Sequence, residues 1–410
     1  MFELMHAGLY NYRCFSELKL EFEPDATILA SENAGGKTAV LQGLATLLGC
    51  WFTPAPLNLV RSRDVRQART PTGATEAAGP CSVEAFAQID DARVGWVREI
   101  GPTKGRTVRT PVKNLREAAE RVLLPGKDWP LLAFYGTQRL WQVLKNSLRK
   151  SPATRRRSDG YLDCLDPRSS ETQLLQWLDR HALIETQRQQ RGEALLGQLG
   201  AVMGSMARAT PNVREVFYDL ATSEPRILFQ NGTTCGWGSL SDGYHVFLAL
   251  VADIARRAVI LNDHLGVDAP LLTSGVVLVD EIDLHLHPKW QRTVVAGLRD
   301  AFPKLQFVLT THSPQVLGSV ENRQVRRFVN YELVQEPARV QGRDSNAILK
   351  DVMGDAERAP EGLMKLRGLM EAIDGRQFED AESLLLDLTD RWGALDPAVV
   401  EARTALDWER

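Results

Sequence analysis

Several features that would assign a chain to a specialised class are missing from this sequence. The five cysteines (14, 50, 81, 164 and 235) form no C-x-x-C pair, which argues against a disulfide framework or a thiolate zinc site and favours a reducing compartment. No uninterrupted apolar run reaches the roughly 18 residues that a membrane helix needs. The N-terminus lacks the basic-then-apolar pattern of a signal peptide. We therefore expect a cytoplasmic protein that makes no use of a membrane.

An excess of charge of one sign is also absent. The chain has 49 basic and 52 acidic residues, a net charge of −3, so it has no overall electrostatic footprint for nucleic acid. The densest local basic cluster is Arg149–Arg157. Because such runs are more often solvated surface than DNA contacts, DNA is only a secondary candidate ligand. With 410 residues, the chain is long enough for a large α/β core and an insertion.

The clearest signal that is present is a phosphate-binding loop near the N-terminus. Ala26–Ala30 is predicted as a buried strand and Lys37–Leu48 as an apolar helix, with Gly35-Gly36 just before the helix. Loop amides and the helix N-terminus can cradle phosphate oxygens. The Lys37 ammonium can reach the β- and γ-phosphates, and the Thr38 hydroxyl can ligate Mg²⁺. ATP and Mg²⁺ are therefore the expected cofactors.

The same loop departs from the strict pattern G-x-x-x-x-G-K-[ST]. Ser31 stands where that pattern has glycine, and Ala34, beside Asn33 in the phosphate cradle, stands where related loops commonly have glycine. A non-glycine residue forced to positive φ costs roughly 1–2 kcal/mol. We therefore expect nucleotide binding with weakened turnover.

Two further strands are predicted to end in catalytic side chains. The apolar run Val276–Val279 is followed by Asp280, which can hold Mg²⁺ through water, and by Glu281, which can polarise the attacking water. The run Lys304–Thr311 is followed by His312, which can hydrogen-bond the γ-phosphate or that water.

A fourth segment opens a long helix. Ser241 is a candidate N-cap, with Gly243 in the first turn. Such an N-terminus can serve as an anion site for the γ-phosphate of a nucleotide that the opposite protomer holds. Taken together, the four segments predict ATPase sites in which two chains sandwich ATP.

Several motifs resemble those of ABC-type ATPases of the SMC/RecF/OLD superfamily: NYRCF from Asn11, SENAGGKT from Ser31, LSDGY from Leu240, VVLVDEIDLHLHPKWQ from Val276 and TTHSPQVL from Thr310. Two more, FYGTQRLW from Phe134 and GRDSNAILKDVMG from Gly342, resemble the ATPase subunit of the Septu anti-phage system and its retron-associated relatives.

This resemblance implies roles for the motif residues. It implies that Ser241 and Gly243 form the signature that contacts ATP in trans, and that Asp283 lies in the loop through which the subunits communicate. It also implies that Gln138, after the strand Leu131–Tyr135, is the Q-loop glutamine that contacts nucleotide and Mg²⁺. Relatives usually have Tyr-Gly-Thr-Gly-Arg there, so Gln138 is a departure.

The expected fold is an α/β P-loop NTPase head of ABC/SMC type with a mixed central sheet, a β-rich arm, a helical insertion and a C-terminal helical tail. Residues 1–150 would form the N-terminal part of the head, with an arm hairpin at 81–100, and 236–345 the C-terminal part. Residues 151–235 would form the helical insertion, with helices at Glu171–Glu185 and Gln187–Met206. Residues 346–410 would form helices that cap the head or dock a partner.

The expected function is that of a dimerising ATPase, as a homodimer or higher homo-oligomer, that senses nucleotide and controls a nuclease in anti-phage defence. No H-N-H pattern follows His312, and the resemblance implies a separate HNH nuclease subunit. Two alternatives remain open from the residues. One is a RecF-like DNA repair ATPase, and the other is a non-hydrolysing, ATP-bound scaffold, which Ser31 and Ala34 suggest.

Overall fold

The computed structural model describes residues 1–32, 35–52, 60–69, 73–100, 107–108, 112–139, 156–168, 171–354 and 358–409. The predictions for Asn33 and Ala34, and for most of the cluster Arg149–Arg157, lie outside these residues. The chain divides into two compact units, Met1–Ile348 and Leu349–Arg410.

The strands of the described residues are β1 (Phe2–Tyr12), β2 (Phe15–Glu21), β3 (Ala26–Ser31), β4 (Gln67–Arg69), β5 (Thr75–Ala77), β6 (Cys81–Ile89), β7 (Ala92–Ile100), β8 (Thr107–Val108), β9 (Leu131–Tyr135), β10 (Val213–Asp219), β11 (Glu224–Phe229), β12 (Thr234–Gly236), β13 (Gly275–Val279), β14 (Leu305–Thr311), β15 (Val325–Val329) and β16 (Glu332–Leu333). The α-helices are α1 (Lys37–Leu48), α2 (Lys113–Val122), α3 (Glu171–Gln190), α4 (Gln198–Ala209), α5 (Asp242–Leu261), α6 (Ala269–Leu272), α7 (Pro288–Gln291), α8 (Val294–Ala301), α9 (Pro314–Gly318), α10 (Ser345–Asp351), α11 (Pro360–Asp374), α12 (Phe378–Trp392) and α13 (Pro397–Glu409).

A mixed six-stranded sheet forms the centre of the larger unit, with strand order β16-β15-β3-β14-β13-β9. Strands β3, β9, β13 and β14 are buried along their whole length, as expected for parallel strands covered on both faces. Strand β14 lies between β3 and β13 and is parallel to both. The carboxyl ends of β3, β14, β13 and β9 therefore meet at one edge, which confirms the predicted α/β head.

The predicted β-rich arm is an antiparallel sheet of order β2-β1-β6-β7-β8. The hairpin expected at 81–100 is formed by β6 and β7, and Asp90 takes a φ of 49° at its turn. The arm packs on the phosphate-loop helix, where the Trp96 indole N–H donates to the Leu47 carbonyl at 3.0 Å.

The region expected to be a helical insertion contains strands as well as helices. Helix α3 runs five residues beyond the predicted Glu185, and α4 begins only at Gln198, because Gly192 and Gly197 take φ angles of 68° and 70° between them. Strands β10, β11 and β12 then form a separate antiparallel sheet, with Ile227 of β11 fully buried.

The smaller unit contains α11, α12 and α13. Its own apolar core includes Leu369, Ile373, Leu388, Val399 and Leu406. These helices carry the amphipathic spacing that predicted them. Across the described part of the chain, no helix combines the length and apolar character that crossing a bilayer demands.

Candidate active site

The phosphate loop is shaped by two glycines that have no room for a side chain. Gly36, at the start of α1, has a φ of 90°, and a Cβ there would lie 2.6 Å from the Phe15 ring. A Cβ on Gly35 would lie 2.3 Å from the Ser31 hydroxyl oxygen. The turn between β1 and β2, where the NYRCF motif lies, therefore packs directly against the phosphate loop.

Ser31 is not strained, contrary to the expectation from the sequence. It is the last residue of β3 and does not have a positive φ, so the backbone cost predicted for a non-glycine residue there is absent. Its hydroxyl instead takes part in the loop: the Lys37 ammonium donates to the Ser31 hydroxyl at 3.0 Å and to the Ser31 carbonyl at 2.8 Å. A third bond from Lys37 goes to the Glu32 carbonyl at 3.2 Å.

Lys37 is buried within this loop. Burial lowers the pKa of its ammonium to about 8, although the charges of Asp280, Glu281 and Asp283 act in the opposite direction. Lys37 therefore lies close enough to the acids that follow β13 for their charges to act on its ammonium, as the motif order predicts.

A cluster of hydroxyl and carboxylate oxygens lies beside the lysine. The Thr38 hydroxyl donates to one oxygen of Asp280 at 2.9 Å, and the Thr310 hydroxyl donates to the other at 2.6 Å. These are the hard oxygen donors that Mg²⁺ prefers. Because both Asp280 oxygens already accept hydrogen bonds, the arrangement fits an ion that Thr38 holds directly and Asp280 holds through water.

Glu281 has a distorted backbone and a basic carboxylate. Its φ is 48°, in the left-handed region, and its amide donates to the Thr310 hydroxyl at 2.7 Å. Burial raises the pKa of its carboxyl, and the neighbouring charges of Asp280 and Asp283 raise it further. A carboxylate with a raised pKa is a better proton acceptor at neutral pH.

His312 follows β14 at the same edge and is half-buried. Burial, with a further contribution from the Lys37 charge, lowers the pKa of its imidazole, so the ring is neutral at physiological pH. Asp283 is anchored nearby, since one of its carboxylate oxygens accepts from the Thr311 hydroxyl at 2.6 Å.

The signature segment presents one exposed and one buried residue. Ser241 occupies the N-cap position of α5, but its hydroxyl makes no capping hydrogen bond, and the residue is exposed. Gly243 is buried, and a Cβ there would lie 2.3 Å from the His285 carbonyl oxygen. The first turn of α5 therefore packs on the loop that follows the acid pair.

Sequence reasoning missed Arg139. Its guanidinium is 1% exposed and donates to the carbonyls of Asp280 and Glu281 at 2.5 Å and 2.8 Å. Gln138, the residue predicted to contact nucleotide and Mg²⁺, is exposed and lines a separate cavity of about 740 Å³ with Gln42 and Thr46. The motif FYGTQRLW includes Arg139, but its carbonyl partners lie 141 and 142 positions further along the chain, so no local pattern marks the contact.

The structure thus brings six predicted residues to one edge of the central sheet: Lys37, Thr38, Asp280, Glu281, Asp283 and His312. Gly243 approaches this group at the His285 backbone, which a Cβ at position 243 would meet.

The family model "AAA domain, putative AbiEii toxin, Type IV TA system" matches residues 145–318. The chain is 25% identical over 380 residues to the Retron Vc95 probable ATPase of Vibrio cholerae serotype O1 biovar El Tor, covering 79% of this chain and 73% of that protein. It is 35% identical over 192 residues to the Retron Ec83 probable ATPase of Escherichia coli, covering 45% and 35% of the two chains. A segment of 93 residues is 45% identical to Septu protein PtuA of Bacillus mycoides (strain KBAB4), covering 23% and 12%.

Among solved structures, the SMC head domain from Thermotoga maritima is similar with 13% identity and a TM-score of 0.47, covering 82% of this chain and 100% of that chain. The recombination mediator protein RecF gives 15% identity and a TM-score of 0.39, covering 81% and 97%. The retron and Septu similarities confirm the relationship that the motifs indicated. The alignments span only 35% of the Escherichia coli protein and 12% of PtuA.

Proposed function

We propose that this relative of the retron and Septu ATPases binds ATP with Mg²⁺ and hydrolyses it at sites shared between two copies of the chain. The hydrogen bond between Thr38 and Asp280, 242 positions apart, is the observation that carries the proposal. It joins the phosphate-loop helix to the acid at the end of β13. Lys37 and His312 lie at the same sheet edge.

The phosphate end of the nucleotide would be bound by the N-terminus of α1 and by Lys37. To reach the β- and γ-phosphates, the ammonium must exchange its hydrogen bonds to Ser31 and Glu32 for phosphate oxygens. Thr38 and Asp280 would hold Mg²⁺, which supplies neutralisation of the phosphate charge when bound.

Hydrolysis would follow from the placement of Glu281 and His312. Glu281 orients a water for in-line attack on the γ-phosphorus and accepts its proton, and the bond from phosphorus to the leaving ADP oxygen breaks. The neutral His312 imidazole hydrogen-bonds the γ-phosphate or that water. Both residues follow buried strands at the same edge of the central sheet.

The second half of each site would come from the other protomer. Ser241 is exposed at the N-terminus of a 20-residue helix, where amide dipoles favour an anion. We assign this end of α5 to the γ-phosphate that the partner copy holds, with Asp283 in the loop between the two sites.

The output of this ATPase would be control of a separate nuclease subunit in anti-phage defence. The similarity to Septu protein PtuA and to two retron ATPases supports this assignment. The C-terminal unit, where Leu395 and Trp408 are 92% and 86% exposed, is the segment proposed for docking. Co-purification of an HNH protein with the full chain tests this part.

Comparing the wild-type protein with Glu281→Gln tests the hydrolytic proposal. The glutamine side chain is nearly isosteric but cannot accept the proton, so we expect ATP to stay bound, dimer to accumulate and turnover to fall by roughly 100-fold or more. Phosphate release and light scattering with Mg·ATP measure these outcomes. Equal turnover by both forms would refute the role of Glu281, and an inactive wild-type protein would favour the scaffold alternative.

A further inference from the structure

A buried guanidinium lies directly behind the acid pair. Arg139, four residues beyond the end of β9, is 1% exposed. One terminal nitrogen donates to the Gly136 carbonyl at 3.1 Å and to the Asp280 carbonyl at 2.5 Å, and the other donates to the Glu281 carbonyl at 2.8 Å.

This arginine is not paired with a carboxylate in the described part of the chain. Its hydrogen bonds go to backbone carbonyls, and within the same residues its Nε is buried without a partner. Burial lowers the pKa of Arg139 to about 10, so it is still protonated at neutral pH. A buried charge carries a large desolvation cost, which the carbonyl contacts and the nearby acids offset.

The Asp280 and Glu281 carbonyls that accept from Arg139 belong to the two peptide groups on either side of the Glu281 Cα. The Asp280 carbonyl belongs to the peptide plane before the Glu281 Cα, and the Glu281 carbonyl belongs to the plane after it. Holding the orientation of both planes holds both backbone dihedrals of Glu281. That restraint matters because the φ of 48° at Glu281 costs a non-glycine residue roughly 1–2 kcal/mol.

The amide side of the same two peptides is held by β14. The Glu281 amide donates to the Thr310 hydroxyl at 2.7 Å, and the Ile282 amide donates to the Thr310 carbonyl at 2.9 Å. Thr310 thus binds the amides of these two peptide groups, and Arg139 binds their carbonyls.

We propose that Arg139 is a positioning residue of the hydrolytic site, which fixes Glu281 in its left-handed conformation and thereby sets turnover rather than nucleotide affinity. The inference rests on the proposed ATPase function. Among the described residues, Arg139 makes no hydrogen bond to the phosphate loop, so we expect its loss to leave the Lys37 contacts with Ser31 and Glu32 in place.

Two substitutions separate positioning from simple support of the fold. Arg139→Met fills the space without donors, and we expect kcat to fall on the order of 100-fold with KM within about threefold of wild type. Arg139→Lys keeps the charge but lacks the planar fork, so we expect partial rescue, to about tenfold below wild type. Arg168→Met is the matched control, because that arginine is exposed and forms an ion pair with Asp166 at 2.6 Å; it should leave kcat unchanged.

A double substitution distinguishes positioning of Glu281 from general support of the fold, and the measured quantity is the residual turnover. If Arg139 acts through Glu281, then Arg139→Met should lower the residual turnover of Glu281→Gln by less than about threefold. Full additivity of the two losses would overturn the inference, as would wild-type kcat in Arg139→Met. If the methionine variant does not fold, the lysine variant decides: lowered kcat with unchanged KM supports the inference, and unchanged kcat refutes it.

The failure of this inference is distinguishable from failure of the proposed function. A wild-type protein that hydrolyses ATP, with an inactive Glu281→Gln and fully active Arg139 variants, refutes only the role of Arg139. A wild-type protein without turnover refutes both.

Discussion

The Lys37 ammonium donates hydrogen bonds to the Ser31 hydroxyl and to the carbonyls of Ser31 and Glu32. In the proposed complex, phosphate oxygens would take the place of these acceptors. The Ser31 hydroxyl is one of these acceptors and also explains why position 35 has no side chain. The substitution at position 31 is thus matched by its neighbours and does not weaken the loop through backbone strain.

The pKa of Lys37, lowered to about 8, predicts that ATP affinity depends on pH. Bound phosphates favour the protonated ammonium and raise this pKa in the complex, so binding takes up a proton above pH 8. We expect affinity to be constant below pH 7.5 and to fall by about tenfold per pH unit above pH 8. Titration with a fluorescent ATP analogue at several pH values between about 7 and about 9.5 measures this pH dependence of the affinity. In Lys37→Met, which should bind far more weakly, this slope should vanish; an unchanged slope there would assign it to another group.

The strands of the site could be predicted from the sequence because each is an apolar run buried on both faces. The strand predicted at Val276–Val279 is observed at Gly275–Val279, and the one predicted at Lys304–Thr311 is observed at Leu305–Thr311. Their order along the chain, with a polar residue after each, was enough to place the acids and the histidine at one edge. Sequence periodicity thus gave the position of each strand end to within a residue.

Some features of the structure were not predicted, and two of them depend on tertiary contacts. The sheet of β10, β11 and β12 was missed, although Asn231-Gly232 between β11 and β12 is a strong hairpin signal. The role of Arg139 depends on carbonyls 141 and 142 positions away, and no local pattern marks such a contact. The close approach of Gly243 to His285 is of the same kind.

Because α5 packs closely on the loop after β13, adding one methyl group at Gly243 should lower both stability and ATPase rate. In Gly243→Ala the Cβ would meet the His285 backbone carbonyl at 2.3 Å, so loop or helix must move. We expect a loss of about 1–3 kcal/mol in stability and a lowered ATPase rate. Gly238→Ala is the control, since no heavy atom of the described residues lies within 4 Å of a Cβ there, and it should change stability by less than about 0.5 kcal/mol. Thermal and urea unfolding measure both; equal melting of the two variants would contradict the packing argument.

At the scale of the whole molecule, the described chain contains both halves of the proposed site. The phosphate-loop half lies at the edge of the central sheet, and Ser241 is exposed at the end of α5. A two-fold pair in which each copy completes the other's site uses both halves.

Mixing two inactive variants tests this arrangement. Lys37→Ala removes the ammonium that would contact phosphate, and Ser241→Arg places a bulky side chain at the N-terminus of α5, where the partner's nucleotide would bind. In a mixed dimer one site carries both changes, and the other carries neither. We expect the mixture to recover about a quarter of wild-type ATPase activity, because half of randomly paired dimers are mixed and each has one intact site. Each variant alone should be inactive, and a mixture that stays inactive would show that the halves do not combine across chains.

The contact between Gly243 and the His285 backbone has one more consequence. The loop that touches Gly243 begins at the acids of its own chain, whereas the helix that starts there would serve the neighbour's triphosphate. Occupancy of either pocket would therefore shift the helix end offered to the other, and the two pockets of a pair would fill cooperatively, with a sigmoidal dependence of rate on ATP concentration.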